Sequence, residues 1–64
     1  MYDFVIGYRN DGGEAYITAQ TERARGRLNK GQTLVFRSWG DAIPYIDAAE
    51  AEGLTFFGKE LLPL

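Results

Sequence analysis

The chain contains no cysteine and no histidine. The first absence excludes disulfides, and the second removes the usual zinc ligands and every histidine-based catalytic triad. No metal or cofactor site is therefore expected. Serine is scarce, and a chain of this length has little material for a deep cleft. An enzyme is not expected. No apolar run approaches the roughly 20 residues that span a bilayer. The start, "MYDFVIGYRN", lacks the basic head, long apolar stretch and small-residue cleavage site of a signal peptide, so a cytoplasmic protein is expected.

The 64 residues allow one domain, 1–64. A chain so short buries only about 60% of its unfolded surface, and small domains commonly need a staple. With no disulfide and no metal, a homodimer or a bound partner is the remaining route to added stability.

The net charge of −2 argues against a generally basic nucleic-acid binder, but the charges are unevenly placed. Arg23, Arg25, Arg27, Lys30 and Arg37 fall between residues 21 and 37, with Glu22 as the only acid there. Asp41, Asp47, Glu50, Glu52 and Glu60 fall after residue 37, with Lys59 as the only base. One basic end and one acidic face are expected.

Periodicity supplies the architecture. In "YDFVIGYR" at 2–9, Tyr2, Phe4, Ile6 and Tyr8 alternate with Asp3, Val5, Gly7 and Arg9, the period of a strand whose first set faces the core. Gly7 marks a bulge or a close approach of another backbone. "NDGG" at 10–13 favours a hairpin turn into a second strand, "EAYITAQ". "QTLVFRS" at 32–38 reads as a third strand, which makes "TERARGRLNKG" at 21–31 a long connection between strands. From Ser38 the period changes: Trp39, Ala42, Ile43, Ile46 and Ala49 recur at helical spacing. Asp41 is expected as N-cap, with Pro44 in the first turn, where a missing N–H does least harm. Gly53 sits where a left-handed C-cap belongs. "LTFF" at 54–57 is a short strand and "GKELLPL" a tail. The expected fold is α+β: a small, mainly antiparallel sheet of three to four strands, order β-β-β-α-β, with one helix packed on one face.

Three features invite a functional reading. Residues 53–60, "GLTFFGKE", match a phosphate-binding loop up to its last position. There the motif needs Ser or Thr and the chain has Glu60, so a nucleotide site is not expected. Asp47 and Glu50 share a helix face, yet nothing near them suggests the apolar pocket that would raise one carboxyl pKa. The basic segment is the third. Arg23, Arg25, Arg27 and Lys30 could grip phosphate, meet an acidic protein, or keep a connection soluble.

The alternation also divides the sheet. If a helix covers Phe4, Ile6, Ile17, Leu34, Phe36 and Phe56, the other face carries Val5, Tyr16, Val35, Arg37 and Phe57. That composition is typical of an interface centre. The segment "FRSWGDAIPYIDAAEAEGL" is similar, through Phe36, Ser38, Ala42, Ala49 and Gly53, to a strand–helix–strand unit of small phage- and plasmid-borne accessory proteins. The resemblance implies an anti-CRISPR-like inhibitor and assigns no active residue. The expectation is a non-catalytic inhibitor docking on a protein partner, such as a nucleic-acid-processing complex, through Tyr16, Val35, Arg37, Phe57, Asp47 and Glu50. The alternative is direct nucleic-acid binding through Arg23, Arg25, Arg27 and Lys30.

Overall fold

The structure is a computed structural model that describes residues 1–9, 13–28 and 32–59. Its elements, in chain order, are β1 (Phe4–Tyr8), β2 (Ala15–Ala19), α1 (Glu22–Leu28), β3 (Thr33–Phe36), α2 (Trp39–Ala51) and β4 (Phe56–Phe57). The sheet order is β3-β2-β1-β4. Neighbours β1 and β2 are antiparallel, as are β2 and β3, whereas β4 joins parallel to β1. β3 thus runs with β4, and α2 carries the chain across the sheet from one edge to the other. The α+β class is as expected from the sequence. The turn expected at 10–13 and the tail from Glu60 onward lie largely outside the described residues.

The connection expected at 21–31 is instead helical over Glu22–Leu28. Thr21 begins it: its hydroxyl accepts from the Ala24 N–H at 3.2 Å and its carbonyl accepts from the Arg25 N–H at 3.0 Å. Glu22 in the first turn and Arg25 and Arg27 in the last agree with the helix dipole. Ala24 is fully buried in the core. Gly26, which costs about 1 kcal/mol against alanine inside a helix, and the density of cations hide this short helix in the sequence.

In α2 the cap is Ser38, three residues before the expected Asp41; the Ser38 hydroxyl accepts from the Asp41 N–H at 3.4 Å. Pro44 therefore stands inside the helix, in its second turn. There it withholds an N–H from the Gly40 carbonyl, and Gly40 is exposed to solvent, which can take that role. Gly53 ends the helix as expected, at φ 93°. The Leu54 N–H donates to the Ala49 carbonyl at 3.1 Å and the Gly53 N–H to Glu50 at 2.9 Å, the paired bonds of a Schellman end.

Both helices cover the same face. Ala24 of α1 and Ala42, Ile46 and Ala49 of α2 join Phe4, Ile6, Ala15, Ile17, Ala19, Leu54 and Phe56 in one continuous core. Phe4 stacks on Phe56 at 4.7 Å between ring centroids. Leu34 and Phe36 point to this face but are only half-buried, because β3 is an edge strand. Two positions depart from strict alternation. Tyr2, ahead of β1, rests on Phe57 at 5.2 Å on the opposite face, and Tyr8 at the strand end is exposed beside Trp39.

Asp3 is the larger departure. It belongs to the outward set by parity, yet it is only 3% exposed. Its Oδ1 accepts from the Thr21 hydroxyl at 2.7 Å and Arg23 Nε at 2.9 Å. Its Oδ2 accepts from Arg23 Nη2 at 2.7 Å, the Thr55 N–H at 3.0 Å and the Thr55 hydroxyl at 3.1 Å. The Asp3 N–H donates in turn to the Thr55 hydroxyl, and Arg23 Nη2 reaches the Gly53 carbonyl at 3.2 Å. One carboxylate thereby ties the start of β1 to the N-terminus of α1 and to the approach to β4. The Arg23 and Thr21 bonds hold the Asp3 pKa far below the usual carboxylate range, against the opposing effect of burial. Arg23 is correspondingly raised by Asp3.

Because the folded-state pKa lies below the unfolded value of about 3.9, the cluster stabilises fully above that value and progressively less as pH falls toward the folded one. Asp3→Asn is expected to lower the thermal midpoint at pH 7 by more than Lys59→Ala, which breaks an exposed pair. The gap between wild type and Asp3→Asn should narrow as the pH drops below about 4. Melting curves from pH 7 to pH 2 read both effects.

Candidate interaction surfaces

With both helices on one side, the other side of the sheet is uncovered among the described residues. Register places Val5 beside Phe57 and Thr18, and Tyr16 beside Gly7 and Val35. Val35 is 58% exposed, Phe57 51% and Tyr2 48%. Tyr16 is half-buried because its ring lies against Gly7: a Cβ at Gly7 would stand 2.8 Å from Tyr16 Cε2. The close approach expected at Gly7 is thus made by a side chain rather than by another backbone. The face is a shallow apolar and aromatic surface, and no pocket opens among the described residues. Arg37, just past β3, is exposed.

Of the six residues expected at a partner interface, Tyr16, Val35 and Phe57 lie on this face, and Arg37 follows at the end of β3. Asp47 and Glu50 do not join them: they are exposed on α2, which covers the other side of the sheet. Glu50 is also engaged, accepting from Lys59 Nζ at 2.9 and 3.1 Å. That bond likewise occupies the lysine of the loop-like match at 53–60. Tyr2 was missed by sequence because parity assigned it to the core, although it precedes the first strand residue and is free of the pleat.

The basic segment is largely committed within the fold. Arg23 and Arg27 are four residues apart, so they share a face of α1, and each meets a carboxylate of the same chain. Arg23 is clamped on Asp3. Arg27 makes a two-point contact with Glu52, Nε to Oε1 at 2.9 Å and Nη2 to Oε2 at 2.8 Å. Its guanidinium also lies 4.6 Å from the centroid of Tyr45, a cation–π contact that joins α1 to α2. The bonds to Glu52 raise the Arg27 pKa, and Arg27 lowers that of Glu52. Trp39 Nε1 is buried without a hydrogen-bond partner among the described residues. Arg25 remains half-buried on α1 without an ion pair among the described residues, and Lys30 lies outside them.

Four free cations would give a log K against log salt slope of about −3.6 on duplex DNA. With Arg23 and Arg27 held by carboxylates, the contribution of this segment to the slope, read by fluorescence anisotropy in an Arg37→Ala background, is expected to be no steeper than about −1.8. Arg27→Ala should lower the thermal midpoint, whereas Arg25→Ala should leave it near the wild-type value. A slope near −3.6 with Arg27→Ala as stable as wild type would mean that these guanidiniums are not held by Asp3 and Glu52.

No protein-family model, no curated protein and no solved structure matches the chain.

Proposed function

We propose that this is a non-catalytic binding protein that docks on a protein partner through the uncovered sheet face, with Phe57, Val35, Tyr16 and Tyr2 as the contact and Arg37 at its margin. The observation that carries the reading is the asymmetry of the sheet. Two helices are spent on one face, while the other presents large apolar and aromatic side chains side by side. Aromatic residues with a neighbouring arginine are the composition of interface centres. A partner rather than bare phosphate suits this face, because among the described residues its cations, Arg9 and Arg37, stand at its margins, Arg9 pairs with Glu14, and Arg23 and Arg27 of α1 are held by carboxylates of the same chain.

In this reading the partner belongs to the class that the strand–helix–strand resemblance implies, a nucleic-acid-processing complex inhibited by a phage- or plasmid-borne accessory protein. The positions that carry the resemblance also have roles in the fold: Ser38 caps α2, Ala42 and Ala49 are core, Gly53 ends the helix, and Phe36 packs against Tyr45. The acidic α2 face, with Asp47, is a separate surface and is not needed for docking.

The test is site-specific photocrosslinking in extract of the source cells, with a benzophenone side chain at position 57 or position 47. An adduct with another protein is expected from 57 and not from 47. Once that protein is in hand, Phe57→Ala is expected to weaken binding by about thirtyfold, the scale of a 2 kcal/mol hot spot. Adducts from 47 alone, or full affinity in Phe57→Ala, would contradict the reading.

A further inference from the structure

The edge of the sheet at β3 has a hydrogen-bonding pattern that the uncovered face does not explain. Opposite residues of an antiparallel pair exchange both N–H···O bonds or neither, alternating along the ladder. The Ala19 N–H donates to the Gln32 carbonyl at 2.6 Å, and these two residues continue the register Thr18↔Thr33, Ile17↔Leu34, Tyr16↔Val35. Gln32, Leu34 and Phe36 therefore spend their backbone groups on β2. The bonds from Arg9 to Glu14 and from Gln20 to Asp3 across β1 and β2 fix the same phase from the other side. It follows that the N–H and C=O groups of Thr33 and Val35 point away from the sheet, and they have no backbone partner among the described residues.

Edge strands are ordinarily protected by charge, proline, a bulge or a cover. β3 is Thr-Leu-Val-Phe, with no charge and no proline, and Thr33 and Val35 are both exposed. We propose that β3 is a strand-addition site for a second copy of this chain, paired antiparallel about a two-fold axis at Leu34.

That register is self-complementary. Thr33 of one copy pairs with Val35 of the other, and the reverse, so four N–H···O bonds satisfy every outward group of the two residues. Leu34 meets its own copy as a non-hydrogen-bonded pair, the geometry in which side chains approach most closely. Its half-exposed side chain thereby gains a cover that one copy alone cannot provide. No charged residue opposes a like charge at the pair positions. An antiparallel edge pairing keeps both copies in one sheet, so the dimer is an eight-stranded sheet with both sets of helices on one side and both uncovered faces on the other.

The proposal stands independently of the docking reading, because Phe57 lies on β4 at the opposite edge of the sheet. The test is sedimentation of the full chain over a concentration series, combined with amide hydrogen exchange by NMR. The expected result is a concentration-dependent species of twice the 7.2 kDa chain mass, with the Thr33 and Val35 amides becoming protected as it forms and the Leu34 amide protected throughout. Thr33→Lys with Val35→Lys should stay monomeric, as should Thr33→Glu with Val35→Glu, while a mixture of the two should pair. Phe57→Ala should dimerise like wild type. A monomer at every concentration with freely exchanging Thr33 and Val35 amides would overturn the proposal. So would a dimer that leaves those amides unprotected.

Discussion

A single buried carboxylate holds this small fold together. Asp3 receives five hydrogen bonds on two oxygens, from residues 18, 20 and 52 positions away in the chain. An isolated charge taken out of water is very costly, and it is tolerated only where partners and hydrogen bonds compensate. Here the compensation is spread over three segments: the entry to β1, the cap of α1 and the residue leading into β4. In a chain with no disulfide, this arrangement fixes where the first strand begins and how the last one returns beside it.

The same requirement organises the surface. Arg23 is held by Asp3, and Arg27, one turn on, is held by Glu52 and Tyr45. The basic segment that looks like a phosphate grip in one dimension is in three dimensions a clasp between α1, α2 and β1. Pairing those guanidiniums with carboxylates of the same chain leaves the uncovered sheet face as the most distinctive feature. Its exposed Val35 and Phe57 are products of strand alternation, as are the half-buried Leu34 and the buried Phe56 beside them.

What was legible in the sequence follows from range. The strands at β1 and β2, the two faces of the sheet, and the helix ending at Gly53 each rest on local periodicity or a local cap, and they read correctly. The cap of α2 was expected at Asp41 rather than at Ser38, because Pro44 inside a helix contradicts propensity, which tertiary packing overrides. α1 was missed because its signals, Thr21 as cap and Ala24 and Leu28 at helical spacing, are carried by only seven residues interrupted by Gly26. Asp3 was assigned to the wrong environment because parity speaks only about neighbours. Nothing near Asp3 in sequence announces Thr21, Arg23 or Thr55. The uncovered face was legible in composition, apart from Tyr2, and its separation from Asp47 and Glu50 required knowing that both helices choose the same side.

The dependence of the fold on Asp3 is tested most directly by following the Asp3 side-chain carboxyl carbon by NMR as the pH is lowered. If the carboxylate is held as described, its resonance stays at the ionised position through the ordinary range near pH 3.9, and it moves only together with global unfolding. A resonance that titrates near that ordinary value in a protein that remains folded would contradict the account, because the carboxylate would then be free of Arg23, Thr21 and Thr55.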